Sequence, residues 1–326
     1  MGSLLKKDDP NSYYNTYRNS LNDTIIRQND NSVLIHDIFI RDDKIYFIST
    51  FWSPISPKIK ISIDDVKLTE HAMNQHEPVR YFSGFVGTKR KFNLNINGNI
   101  HIIEPRVIKT LAKKHRFAIA TLFKFETVGM VKRFITYYRS QGCTMFYLYY
   151  NGPVLPEDLP KDSDILYRIW NFTYFLSGEY IHCAQSAFLT TVRFRYLPDC
   201  DFLALIDLDE YIYSLDEKLL LVDYLYSLNN NCNVIKMQNH WAKCSELGGP
   251  ISYNKSGLGF VHRTKCIYKG SFQGHFAIHE PKKESSEKVF QSPYLLLLHL
   301  TMFHKERDNL IKEPILNTNL TLIPIV

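Results

Sequence analysis

Apolar residues run along this chain in two rhythms, and the change of rhythm divides it. From Ser32 to Ile108 the segments VLIHDIFI, KIYFISTFW, KIKISI, VRYFSGFVG, KRKFNLNI and NIHIIEPRVI alternate or run apolar at close spacing. Arg41-Asp42-Asp43, Ser53-Pro54 and Asn97-Gly98 separate them. A period of two, broken by turn-forming residues, predicts antiparallel strands. Asn97-Gly98 predicts a two-residue hairpin, because both residues tolerate positive φ. The stretch reads as an all-β domain, a small sandwich or barrel over residues 32–112. A polar segment, residues 1–31, precedes it and predicts only partial order. Lys89-Arg90-Lys91 reads as a solvated strand edge.

Lys109 to Arg116 is a basic connector, and beyond it the rhythm becomes β-α-β. Phe117 to Phe123 predicts a strand. Met130 to Gln141 has helical spacing, with Gly142 placed to end the helix. Met145 to Tyr150 and Asp164 to Ile169 predict strands, and Tyr180 to Tyr196 a helix. Phe202 to Ile206 is an unbroken apolar run, the pattern of a strand buried on both faces. A helix from Asp216 to Leu228 and a strand from Val234 to Gln238 follow. Residues 239–276 read as loop-rich, and YLLLLHL, Tyr294 to Leu300, reads as another buried strand. Alternating strands and helices predict an α/β domain over residues 113–326, a mixed sheet flanked by helices. Ligands of such sheets bind outside the carboxyl ends of the strands. Lys124 to Glu126, Asn151 and Asp207 to Glu210 are those ends, and they are expected to converge on one crevice.

The chemistry concentrates where the buried run ends, in Asp207, Leu208, Asp209 and Glu210. Carboxylates leaving a buried strand are costly unless something neutralises them. A divalent cation such as Mn²⁺ or Mg²⁺ does so, being suited to hard oxygen ligands. On an extended chain Asp207 and Asp209 point to the same side, forming a pincer for a metal that also holds phosphate oxygens. The competing reading is a strand end whose acidic residues cap the next helix.

Composition narrows the class. Hydrophobic residues make up 45% of the 326 and charged residues 22%, which allows a sizeable core. The net charge of +6 is compatible with an anionic ligand but too modest to point to nucleic acid. No run of 18 apolar residues occurs, so no integral membrane segment is expected. The first residues lack the apolar core of a signal peptide, so a cytoplasmic location is expected. The six cysteines show no zinc-ligand spacing and read as reduced, partly buried thiols. Asn22, Asn171, Asn254 and Asn319 stand in glycosylation sequons that an Asn-rich chain produces by chance.

Four places together resemble glycosyltransferase family 92. FETVGMVKRFITYYRSQGCTMFYLYYN is similar to that family's opening. Gln185 followed by FLALIDLDEYIY is similar to its Asp-x-Asp-Glu strand. KCIYKG with His279-Glu280-Pro281, and LLHLT around His299, are similar to its closing segments. The chain departs from the pattern at Phe125, where Asn is usual, and at Arg133-Phe134, which replace an acidic residue and Trp. Leu300-Thr301 likewise replace Tyr-Arg.

The resemblance implies a GT-A nucleotide-sugar transferase fold. It further implies Mn²⁺-dependent, inverting transfer of a hexose, galactose favoured, from a UDP-sugar to a hydroxyl of a glycan or glycoprotein. It implies His299 as a third metal ligand beside Asp207 and Asp209; by itself, a His inside LLLLHLT reads as a packed core residue. His304 is a rival. Glu126 and Asn151 stand where uracil and ribose would lie. Lys124 reads as a diphosphate contact or a solvated lysine. Gln185 and Arg193 share the helix before the metal strand; Arg193 reads as a phosphate contact or as a partner of Asp199 or Asp201. Lys265 reads as a phosphate partner or a surface cation. An inverting transfer needs a base at the acceptor hydroxyl. Glu246 is favoured, Glu280 is the alternative, and Glu210 is a third candidate. Trp241, Tyr253 and Phe272 read as sugar-stacking or packing residues. Two other classes compete: a catalytically decayed carbohydrate-binding or scaffold protein on the same fold, and a metal-dependent phosphoesterase. The phosphoesterase would need more ligands for two metals than the strand ends offer.

Overall fold

The computed structural model describes residues 26–27, 33–49, 59–73, 79–124, 126–172, 175–176, 179–215, 219–228, 232–244, 250–253, 264–279, 281, 288–300 and 316–321. The chain divides into two compact units. The first takes Met1–Lys113, Tyr149–Val154 and Tyr167–Asp199; the second takes Lys114–Leu148, Leu155–Leu166 and Cys200–Val326. The architecture is a sheet-dominated α/β one with few helices among the described residues.

The alternating segments of the first unit form strands as expected. Arg106–Ile108, Asp37–Arg41, Lys44–Ser49, Val79–Phe85 and Thr69–Met73 lie in that order in one sheet; Ile61–Ile63, Phe92–Ile96 and Asn99–Ile103 form another. Asn97 and Gly98 have φ of 51° and 92°, as their hairpin requires, and Asp42 and Asp43 do the same at 49° and 56°. Ile38, Ile40, Ile45, Phe47, Phe82 and Leu94 meet in the core. Lys89, Arg90 and Lys91 pair with Asp64, Asp43 and Glu104, the solvated edge that was expected. This unit also takes the helix Cys183–Arg195, which begins three residues later than the apolar spacing suggested because Glu179–His182 is extended.

Buried charge ties the unit together. Asp37, wholly buried on its strand, accepts from Arg195 Nε at 2.7 Å and Nη2 at 2.8 Å. Arg168 approaches the same carboxylate at 3.4 Å and donates to the Tyr149 hydroxyl at 2.8 Å. Arg41 grips Asp199 through both terminal nitrogens, at 3.0 and 2.7 Å, and also donates to the Arg195 carbonyl.

In the second unit the sheet contains β1 (His115–Phe123), β2 (Met145–Tyr150, whose last two residues are counted with the first unit), β3 (Cys200–Leu205), β4 (Glu210–Ser214), β5 (Val234–Cys244), β6 (Pro250–Tyr253), β7 (Thr264–Lys269), β8 (Val289–Leu300) and β9 (Leu316–Thr321). Its central path runs β2-β1-β3-β7-β5, and β8 joins β5 to β4. β3 is parallel to β1 and antiparallel to β7, so both its edges are paired. Its residues Phe202 to Leu205 are buried, as an unbroken apolar run requires.

Between β1 and β2 runs α1 (Val128–Ser140), started by Thr127, whose hydroxyl accepts from the Met130 N–H at 3.3 Å. Gly142 ends it at φ 86°, and a Cβ there would come within 2.3 Å of Val222 Cγ1, so position 142 requires glycine on both counts. Val222 lies on α2 (Leu221–Ser227). The tyrosines of α1 finish an otherwise bare strand edge. Tyr138 Oη donates to the Glu210 carbonyl at 3.0 Å and accepts from the Ile212 N–H at 2.8 Å, and Tyr137 Oη donates to the Ile212 carbonyl at 2.6 Å. β4 needs these hydroxyls because β8 pairs only its other edge.

Three expectations change. Asp207 to Asp209 do not continue the strand: the chain turns there, with the Glu210 N–H donating to the Asp207 carbonyl at 3.0 Å. Glu210–Ser214 is then a strand, not the approach to a helix, because Tyr211, Ile212 and Tyr213 suit a sheet; α2 starts only at Leu221. The described residues between 239 and 276 include strands where loop was expected. β5 continues to Cys244, and β6 and β7 follow, since pairing across the sheet outweighs the local turn residues. No helix among the described residues is long and apolar enough to cross a membrane.

Candidate active site

The carboxyl ends of the parallel strands β1 and β3 bring Glu126 and Asp207 into the same region. β3 ends at Leu205, paired with Cys266 on β7, so Lys265 stands one residue beyond that pair, beside the turn. β4 then leaves the turn antiparallel to β8, which sets Glu210 opposite His299. β5 lies on the other side of β8 and sets Trp241 opposite the same His299. Sheet register, not sequence proximity, assembles the cluster.

Within it the charges pair closely. Lys265 Nζ donates to Asp207 Oδ2 at 2.7 Å and lies 3.2 Å from Glu210 Oε2. Glu210 Oε2 also accepts from the Asp207 N–H at 2.8 Å, closing the turn. His299 Nε2 is 2.9 Å from Asp209 Oδ2, and its Nδ1 is 3.5 Å from both Glu210 Oε1 and Asn239 Nδ2. The Trp241 ring packs against the imidazole, centroids 4.5 Å apart. The Asp209 carbonyl accepts from the Leu300 N–H at 2.8 Å, locking the turn to the end of β8.

The electrostatics follow from burial and crowding. Burial raises the Glu210 carboxyl above its usual range although Lys265 pulls it down, and burial also raises Glu126, with Asp209 and Asp207 adding repulsion. Burial opposes the charge on Lys265 and on His299, but the carboxylates outweigh it and push both up. Lys265 is therefore a firm cation and His299 favours the imidazolium beside Asp209. The two aspartates differ in access: the Asp207 side chain is 41% exposed and that of Asp209 only 8%. The difference arises because the turn folds Asp209 inward against His299.

The donor set can be tested for a divalent cation. Neighbouring ligands at bond lengths of about 2.1 Å stand about 3 Å apart, which the 2.9 Å between Asp209 and His299 satisfies. Among the described residues no group of three or more His, Cys, Asp or Glu is arranged to hold a metal by itself. Two or three protein ligands with remaining places for phosphate and water suit Mg²⁺-like ions, which seldom occupy all-protein cages. The residues fit that kind of binding.

The other expected site residues fall into four groups. Lys124 is exposed, and its backbone N–H donates to Glu126 Oε2 at 2.8 Å. Asn151, Gln185 and Arg193 belong to the first unit. There the Asn151 carboxamide donates to the Trp170 and Phe172 carbonyls at 2.7 and 2.8 Å, Gln185 is buried, and Arg193 lies over the Phe194 ring at 4.4 Å. Glu246, Glu280, His304 and the Tyr253 side chain lie outside the described residues. Trp241 and Phe272 are buried, one against His299 and the other against Tyr268 and Phe276, so they serve packing. Asn239 was missed. It shares a strand face with Trp241, two residues on, and extending the β5 pattern past Gln238 would have found both.

With this geometry, comparison with known families is decisive at one level. The model of glycosyltransferase family 92 matches residues 113–315. The chain belongs to glycosyltransferase family 92. No curated protein matches it. The family match covers the whole carboxylate cluster, from Glu126 to His299, and makes the chain a glycosyltransferase, with a sugar donor and a glycan acceptor as its substrates.

Proposed function

We propose that the protein is a metal-dependent, inverting glycosyltransferase that moves a hexose, galactose favoured, from a UDP-sugar to a glycan hydroxyl. The observation that carries this reading is the cluster of Asp207, Asp209, Glu210, Lys265 and His299 at the end of β3. Asp209 and His299, once the imidazole has given up its proton, would hold Mn²⁺ or Mg²⁺, and Asp207 would join them only on leaving Lys265. Bound there, the cation supplies charge neutralisation for the departing UDP. Lys265 can exchange its contact with Asp207 for a donor phosphate oxygen. Glu210 holds the turn through the Asp207 N–H, so the exchange need not unfold it. Glu126 and Lys124 flank the cluster on the nucleotide side. Glu246 stays the favoured base and Glu280 its alternative. Asn151, Gln185 and Arg193 already have surroundings in the first unit and are left out of this reading.

A donor screen tests it: release of UDP or GDP from a panel of nucleotide sugars, with and without Mn²⁺. Mn²⁺-dependent UDP release from a UDP-hexose supports the proposal; preference for GDP-sugars, or equal rates with chelator, contradicts it. One observation favours a second reading, a decayed carbohydrate-binding protein: Lys265 already neutralises Asp207 and Glu210. That protein would bind UDP without transferring any sugar.

A further inference from the structure

Glu210 is the residue that joins the carboxylate cluster together. Its side chain meets the Asp207 N–H at 2.8 Å, Lys265 at 3.2 Å and His299 at 3.5 Å, and Asp209 precedes it in the chain. A shift of the Glu210 backbone therefore acts on three partners at once. β8 pairs only one edge of β4, so it does not fix that backbone from both sides. On the other edge the Glu210 N–H donates to the Asp207 carbonyl, within the same turn. The Glu210 carbonyl and the Ile212 N–H are held from α1, both by the Tyr138 hydroxyl, at 3.0 and 2.8 Å.

Packing sets Tyr138 firmly in that place. It stands four residues after Phe134 on α1, and the two rings meet edge to face at 4.7 Å. The Tyr211 ring lies parallel to it at 6.1 Å, and Tyr138 is wholly buried. One hydroxyl donates to residue 210 and accepts from residue 212, as a neighbouring strand would. Tyr137 makes a close comparison. It is buried on the same helix, and its hydroxyl donates to the Ile212 carbonyl at 2.6 Å, two residues beyond Glu210. α1 itself begins at Thr127, directly after Glu126. The helix thus carries one member of the cluster at its start and steadies another through Tyr138.

We propose that Tyr138 is a positioning residue for the carboxylate cluster: its two hydrogen bonds to β4 set where Glu210 stands against Asp207, Lys265 and His299. That the cluster takes a metal and a sugar donor rests on the function proposed above. The test is calorimetry of Mn²⁺ binding, with UDP present, on the full chain and on Tyr138→Phe, Tyr137→Phe and Asp209→Asn. Both tyrosine variants keep their rings and lose hydrogen bonds to β4, so both melt lower than the parent, by about 2–6 °C. Tyr138→Phe binds Mn²⁺ about tenfold more weakly, as loss of an outer support of a metal site does. Tyr137→Phe binds within about twofold of the parent, because its lost bond lies past the cluster.

A purely structural Tyr138 would lower the melting temperature and leave Mn²⁺ affinity unchanged, and that result overturns the proposal. Equal weakening in the two tyrosine variants also overturns it. If Asp209→Asn and the parent bind Mn²⁺ alike, the metal reading fails and this inference falls with it. If Asp209→Asn binds weakly and Tyr138→Phe like the parent, only this inference is removed. Should Tyr138→Phe not fold, amide hydrogen exchange of the parent decides. Linkage is reciprocal, so Mn²⁺ with UDP must strengthen the Tyr138 bonds that strengthen their binding. Exchange of the Ile212 N–H then slows more than that of the Leu203 N–H in β3, and equal slowing overturns the proposal.

Discussion

Each unit of the molecule buries a set of charges, and the two sets differ in how they close. In the first, Asp37 and Asp199 face Arg195, Arg168 and Arg41, and further guanidinium donors reach the Tyr149 hydroxyl and the Arg195 carbonyl. Nothing in it opens to a ligand: Asp37 is wholly buried and Asp199 nearly so. In the second, Glu126, Asp207, Asp209 and Glu210 outnumber Lys265 and His299, and Asp207 stays 41% exposed. A charge set satisfied internally holds strands together. One left anionic and open on one side is poised for a cation or a cationic partner. The same residue types thus serve structure in one place and chemistry in the other, and the difference lies in balance and access.

The largest effect is expected from Asp37→Asn. It leaves Arg195 and Arg168 buried without their carboxylate, and loss of one partner of a buried pair costs about 3–5 kcal/mol. Urea unfolding measures it; a loss below about 1 kcal/mol would remove the contrast between the clusters. The matching change in the other cluster, Asp209→Asn, acts on function. The amide oxygen still accepts from His299, and crowding among the carboxylates is relieved, so stability is expected to stay within about 1 kcal/mol. Nucleotide release from the donor is expected to fall about a hundredfold or more, since one ligand charge is gone. Normal release from this variant would make the second cluster structural like the first.

Lys265→Met sharpens the comparison further. It strips Asp207 and Glu210 of their cation, and in chelator the variant should lose about 1–3 kcal/mol. Added Mn²⁺ should restore part of that loss, raising the variant's melting temperature more than the parent's. A variant indifferent to Mn²⁺ would show that the cluster does not take the ion in the lysine's place.

The smallest effect concerns His71 in the first unit, stacked on Tyr81 at 4.4 Å. Burial, with Arg193 adding repulsion, holds its imidazole below the usual histidine range. The unfolded chain then binds the proton more readily than the folded one. Stability is therefore full above about pH 6.5 and declines as the pH falls from there toward the folded value. In His71→Phe, which keeps the ring stack, that part of the acid dependence should vanish. An unchanged pH profile of unfolding would refute the assignment.

Much of this was legible in the chain. The strands of residues 33–108, the Asn97-Gly98 hairpin, the helix stopped at Gly142 and the buried run before Asp207 all rest on interactions within a few residues: side-chain period, positive φ, helix capping. The Asp207–Asp209 pair was legible for the same reason, since a carboxylate pair ending an apolar run conflicts locally with burial. Hidden were the turn that folds Asp209 inward, the strand Glu210–Ser214 and the extension of β5 through Asn239 and Trp241. Each of these is held by a partner more than 50 residues away: Leu300 for the Asp209 carbonyl, His299 for Glu210 and for Trp241. Local preference carries no record of such pairing, which is settled only when the sheet forms. The ion pairs of Lys265 belong to the same class. Whether a buried charge finds an opposite charge depends on what tertiary packing brings within about 4 Å, where Coulomb energy in a poorly polarisable interior outweighs any local preference.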